Sequence, residues 1–373
     1  MNTAPHKWMS LAAGLGLAAS ASAAEYDLYI GTYTNTLSRG IYHARLDAVT
    51  GKLSTPELAV EVASPCFLAL SPDARWLYTA NEGAGMVGAY ARAATNGSLQ
   101  ALNTAGSSST GPCHVSVSPD GKFLFAANYG SGSVKSFRLG PTGAVAAEAS
   151  LIQHHGSGPN HNRQASAHAH FACTDASGKF LLVCDLGLDA VKIYTVQADG
   201  TLTEHGSASV PPGAGARHLV FSQDQRYVYV ANEMGCSVSQ FAWDAAAGRL
   251  KAMGTVSALA PGEKPNANWT AAEILLHPSG KFVYVTIRGE DTVTVLQAEP
   301  KSGHLKFVQT IPAGGKFPRG LGIDPSGRWL FTGNQRSDQV VEFAIDPATG
   351  KLTATGESWT IGSPVDFKFA PVK

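Results

Sequence analysis

Residues 111–134 read GPCHVSVSPDGKFLFAANYGSGSV. Positions 114–118 alternate in polarity, as a strand with one buried face does. Ser-Pro-Asp-Gly follows, and 123–128 form a second apolar run. Pro presets φ and Gly accepts positive φ, so these four residues predict a hairpin turn between two strands. A Gly/Ser turn and the start of a third strand complete the stretch.

The stretch recurs. Residues 71–81 are SPDARWLYTAN, 176–185 ASGKFLLVCD, 222–232 SQDQRYVYVAN, 277–287 HPSGKFVYVTI and 324–334 DPSGRWLFTGN. Taking Gly121 as reference, the equivalent positions are Ala74, Gly178, Gln225, Gly280 and Gly327, at successive spacings of 47, 57, 47, 55 and 47. A strand-rich period of roughly 40–50 residues signals propeller blades. A seventh unit is split between the ends, with 363–371 (SPVDFKFAP) as its first strand and 26–34 (YDLYIGTYT) as its second. Joining them closes the ring and hides the sheet edges. The expected fold is all-β: a seven-bladed propeller with four antiparallel strands per blade, the first strand innermost and the fourth short. The turns DAVTGKL (47–53), ATNGSL (94–99), DGTL (199–202), DAAAGRL (244–250) and DPATGKL (346–352) separate third from fourth strands, each using a Gly.

Residues 1–23 read differently. Lys7 is a weak positive start, 11–19 are apolar, and Ala21-Ser22-Ala23 fits a cleavage site. This predicts a Sec-type signal peptide, a mature domain over 24–373, and a periplasmic or secreted location. The apolar run is too short to cross a bilayer. Lys+Arg and Asp+Glu are equal, 28 each, so nothing basic invites nucleic acid or a membrane surface. The five cysteines, Cys66, Cys113, Cys173, Cys184 and Cys236, lack CxxC spacing and read as buried small hydrophobes. Cys66 and Cys113 hold equivalent positions, so one bridge between them is conceivable.

Two units exceed 47 residues, through 153–170 (QHHGSGPNHNRQASAHAH) and 258–270 (ALAPGEKPNANWT). The first holds five histidines. Equivalent positions lie at equal depth around one axis, which allows a geometric argument. Seven residues before the reference, at the start of the innermost strand, stand Phe67, His114, His170 (allowing one inserted residue), His218, Glu273, Gly320 and Asp366. One position earlier are Cys66, Cys113, Arg217, Ala272 and Arg319. Eight after the reference are Glu82, Tyr129, Leu186, Glu233, Arg288 and Gln335. A spacer ring needs only small or apolar residues. Convergent titratable groups at a concave mouth instead make a candidate active site.

Several stretches carry a resemblance: YIGTYT (29–34), RQASAHAH (163–170), GARHLVF (215–221), YVANE (229–233), AAEILLHPSGKFVYV (271–285) and PRGLGIDPSGRWL (318–330). The chain resembles the seven-bladed propeller lactonases, which include the propeller-type 6-phosphogluconolactonases and a related carboxymuconate-lactonising enzyme. The resemblance implies hydrolysis of a sugar lactone, no cofactor and no metal. It places the functional His at His170, the Arg residues at Arg217 and Arg288, and the acid at Glu233. Ala216 stands where the family usually has Pro, and Ile287 where it often has Asn or Asp.

Lactone hydrolysis needs an activated water, a stabilised oxyanion and a proton for the leaving alkoxide. His170 suits the proton transfers. Arg217 and Arg288 suit an oxyanion or a substrate carboxylate or phosphate. Glu233 either orients a neighbour or activates water. His114, His168, His218, Glu273 and Arg319 are expected to bind substrate. His168 and His170 alternate on a strand and are expected to face opposite ways. The histidines lack the fixed spacing of a metal site. Two other readings stay open: a cycloisomerase using the same His and Arg on a carboxylated substrate, and a non-catalytic exported binding propeller, which should show bland residues at this rim.

Overall fold

The computed structural model describes residues 25–107 and 110–372; the expected signal peptide lies outside them. Among the described residues there are seven four-stranded antiparallel sheets and, apart from the 3-10 turn Glu82–Ala84, no helix. The predicted hairpin holds, with strands Pro112–Val117 and Phe123–Asn128 pairing antiparallel. Ser118 closes its turn by accepting Phe123 N–H on Oγ at 2.9 Å. Asp175 and Asp324 do the same at their turns.

The split unit closes as expected. Pro364–Pro371 pairs antiparallel with Glu25–Thr32, running from Tyr26 opposite Pro371 to Thr32 opposite Pro364. Arg92 pins this seam from the next blade, with one Nη on buried Asp27 at 2.5 Å and on the Pro371 carbonyl at 2.7 Å. Glu57–Glu61 is a short fourth strand as expected, but the others are longer: Val145–Gln153, Arg249–Ser257 and Leu352–Thr360 each have nine residues. Their outer faces are exposed, so polar side chains there carry no burial cost and hydropathy alone under-reads their length.

Beyond their first residue the second strands are buried throughout, and Phe123–Asn128 is buried from end to end. Their apolar runs pack blade against blade; Leu124 and Ala126, for example, share a cluster with Tyr78 and Val87. The third-to-fourth-strand turns do more than reverse the chain. Gly97, Gly143 and Gly350 have φ of 70°, 83° and 71°. Their carbonyls accept the Tyr29, Tyr78 and Tyr284 hydroxyls of the neighbouring blade at 2.6, 2.9 and 2.8 Å. Each such bond adds about 1 kcal/mol and fixes blade spacing. All five cysteines are free, so the conceivable Cys66–Cys113 bridge is absent.

Candidate active site

Every innermost strand starts with a bulge. Pro112 pairs with Asn128 and His114 with Ala127, leaving Cys113 as the extra residue. The extra residues elsewhere are Cys66, His170, Arg217, Arg319 and Val365. In the remaining blade the shift spans Ala272 and Glu273. A bulge breaks the two-residue alternation and re-aims side chains.

This corrects two sequence expectations. No residue is inserted before Gly178. His170 is the bulge residue, equivalent to Arg217, and Phe171 occupies the His114 and His218 position. His168 and His170 also fail to face opposite ways. Both meet Tyr129, His168 stacked at 4.5 Å and His170 edge-on at 5.5 Å between ring centroids. Residues two apart on a strand share a face, so alternation gave no ground for separating them, and His168 lies just before the strand Ala169–Thr174.

Arg217 and Arg288 converge on one carboxylate. Arg217 Nε and an Nη of Arg288 each approach Glu233 Oε2 at 2.9 Å. Arg163 donates to Oε1 at 2.5 Å. Backbone carbonyls hold the other ends: Ala272 O takes Arg217 at 2.7 Å and Ala271 O takes Arg288 at 3.1 Å. Glu233 is fully buried, and its three guanidiniums hold its carboxyl far below the usual range despite desolvation. Burial pulls Arg217 and Arg288 down from their usual values, while Glu233 pulls them back. Arg288 Nε is buried without a hydrogen-bond partner.

His170 lies beside this cluster. Burial, then Arg217, drives its imidazole well below the usual value, so it is neutral at physiological pH. Its Nδ1 is buried and unpartnered. Arg319 bonds the Tyr33 hydroxyl at 3.0 Å, and Tyr33 also bonds Glu82. The guanidiniums of Arg163, Arg217 and Arg288 therefore meet Glu233 directly, while Arg319 reaches Glu82 through the Tyr33 hydroxyl.

The other expected substrate residues sit one layer away. His218 Nδ1 bonds Glu273 Oε1 at 2.9 Å. Burial pushes the Glu273 carboxyl up to about 7 and holds His218 neutral, so this contact is a hydrogen bond rather than a full ion pair. His114 is wedged between Phe67 and Phe171, at 4.1 and 4.0 Å, and its Nδ1 accepts Ala172 N–H at 3.3 Å. Glu273 also lines a cavity of about 350 Å³ with Phe67, Phe171, Asp366, Lys368 and Phe369. His168 is tied to the Tyr129 carbonyl at 2.9 Å.

The histidine-rich loop does structural work. Asp185 staples both its ends, bonding His154 Nδ1 at 2.6 Å and accepting His168 N–H at 2.8 Å. Gln164 fastens its middle to Leu186 O and Asp189. His155 and His161 are exposed. Among the described residues no three His, Cys, Asp or Glu could hold one metal ion. The sequence reading missed Arg163 as a site residue. It comes from an insertion and has no counterpart in other blades, so repeat register carries no signal for it. Tyr33 was findable, since it is the plus-eight residue of the split blade.

A closed propeller with a buried Arg–Glu–Arg cluster beside a neutral histidine defines the class. The sequence profile of the Lactonase, 7-bladed beta-propeller family matches residues 27–369, and the chain belongs to that family. It is 35% identical to the 6-phosphogluconolactonase of Bacillus subtilis over 92% of this chain and 98% of that one. A 6-phosphogluconolactonase of Formosa agariphila is 30% identical over 87% and 94%. The structure of a Pseudomonas aeruginosa protein described as a periplasmic gluconolactonase superposes with a TM-score of 0.88, at 33% identity, covering 94% of this chain and 100% of that one. The chain is a lactonase, a hydrolase of cyclic carboxylic esters. No helix among the described residues is long and apolar enough to cross a membrane.

Proposed function

We propose that the chain hydrolyses a sugar lactone, 6-phosphogluconolactone or another aldonolactone, beside the Arg163–Arg217–Glu233–Arg288 cluster. The observation that carries this reading is the neutral, buried His170 next to guanidiniums already locked on Glu233. His170 accepts a proton from water, and the water oxygen attacks the lactone carbonyl carbon. The developing oxyanion is held by Arg217 and by the unpartnered Nε–H of Arg288. Collapse breaks the ring C–O bond, and the His170 imidazolium returns its proton to the leaving alkoxide. The product is an open hydroxy acid. Glu233 keeps the guanidiniums charged and oriented and takes no proton. His114, His168, His218, Glu273 and Arg319 support this cluster and the channel below it.

Export is part of the proposal. The 1–23 segment supports it, as does the likeness to a protein described as periplasmic. Mass spectrometry of the protein from its native host tests it, and an intact Met1 overturns it. The hydrolytic reading is tested with phosphorylated and unphosphorylated sugar lactones. Release of one acid equivalent per ring opened is expected, and turnover of none of them overturns it.

A further inference from the structure

Five blades share one turn just before the innermost strand. Ser64, Gly111, Gly215, Phe317 and Ser363 all sit ten residues before the reference, with φ of 44°, 67°, 73°, 60° and 41°. Each carbonyl accepts the backbone N–H of the plus-eight residue, namely Glu82, Tyr129, Glu233, Gln335 and Tyr33, at 2.7–3.2 Å. The turn thus needs a left-handed residue and nothing of its side chain. Gly or Ser suffices in four blades. Phe317 puts a bulky aromatic residue into a conformation that disfavours it.

The ring has a use there. Arg336 lies 3.8 Å from its centroid, and Arg288 lies 5.2 Å from it. Arg288 is the buried arginine of the Glu233 cluster, while Arg336 is exposed. Among the described residues Arg336 makes no ion pair. Two cations therefore share one ring, one deep and one at the rim. A planar aromatic fixes guanidiniums without neutralising them, whereas a carboxylate would cancel the charge.

We infer that Phe317 is a positioning residue that sets substrate specificity. Its ring stacks Arg336 beside Arg288, which Glu233 and Ala271 O already hold for the lactone carbonyl, so that Arg336 becomes an outer arm for a phosphate or carboxylate carried by the lactone away from its carbonyl. This rests on the reading of the Glu233 cluster as the lactone site. Pre-ordering Arg336 lowers the cost of binding that second charge.

The test compares Phe317→Gly, Phe317→Tyr and Arg336→Ala with the parent. Substrates are gluconolactone with and without a 6-phosphate, and inorganic phosphate is the inhibitor. Phe317→Gly is expected to raise KM for the phosphorylated lactone about tenfold and to weaken phosphate inhibition equally. It should leave kcat for that lactone and kcat/KM for the neutral lactone within about twofold, with a melting temperature no lower than the parent's. Arg336→Ala should repeat the KM effect, and Phe317→Tyr should behave as the parent. Equal losses on both lactones with a lower melting temperature would make the ring a packing element and overturn the inference. Unchanged KM and phosphate inhibition would also overturn it. A parent inactive on both lactones, or a fully active His170→Ala variant, instead strikes the underlying reading.

Discussion

Arg217 Nε and Glu233 Oε2 meet at 2.9 Å, with side chains only 2% and 4% exposed. The pair joins the start of the innermost strand Ala216–Phe221 to the residue just past the next strand, Tyr227–Asn232. Antiparallel pairing alone sets those two places at one edge of the sheet. Arg288 arrives from the next blade by the same rule. The result is a carboxylate whose charge is already matched, which suits anchoring rather than proton transfer.

Glu233→Gln should therefore destabilise the protein. Removing one partner of a buried cluster leaves unmatched charge and costs about 3–5 kcal/mol. Denaturant unfolding should register the loss, together with a fall in activity. The acid limb of the remaining activity should stay or move to lower pH, because the unmatched guanidiniums disfavour His170 protonation further. A stable Glu233→Gln variant whose acid limb has disappeared would make Glu233 the proton carrier.

His170→Ala should lower kcat about 10²–10⁴-fold, the span of general acid–base catalysis. Circular dichroism should show the fold retained, because His170 Nδ1 has no partner to lose, with melting lowered only by the cavity left against Tyr129 and His218. Full activity in the folded variant would reject the assignment.

The pH profile follows from the same residue. His170 works as a neutral base, and burial depresses its value well below 6.5. Protonation then removes activity only on the acid side, so the falling limb of kcat/KM should lie below that pH. A limb near or above neutrality that disappears in His170→Ala would contradict this environment.

Glu273 makes the opposite prediction for stability. Its carboxyl is raised from 4.5 to about 7, burial being the largest cause. A raised value means that the folded state favours the protonated form. Its stabilising contribution is complete below about pH 4.5 and is lost as pH rises through about 7. Glu273→Gln keeps the shape and should flatten the stability profile across that window. An unchanged slope in urea melts between pH 5 and 8 would show that Glu273 does not titrate there.

Arg217→Lys keeps the charge but loses the fork that reaches both Glu233 and Ala272 O. Activity should drop by at least about tenfold. EDTA should leave the parent's activity intact. Loss on chelation with recovery by a divalent cation would replace the proposed water activation with a metal-bound one.

The sequence by itself determined the propeller, its seven units and their closure, because these are local and repeated. Each Ser/Asp-Pro-Asp/Ser-Gly turn and each apolar run such as Phe123–Asn128 specifies its own hairpin, and the period then counts blades. It also placed Arg217, Glu233 and Arg288 at one sheet edge, since register is a property of spacing. The tertiary structure alone decided what depends on broken periodicity or contact across blades. The bulge at His170 cannot be read from alternation, because it is the place where alternation stops. Arg163 comes from an unrepeated loop, so only the fold, stapled by Asp185, brings it to Glu233. The protonation of Glu233 and Glu273 was open for the same reason: both are plain glutamates in sequence. Three guanidiniums surround one, while burial beside a neutral histidine governs the other.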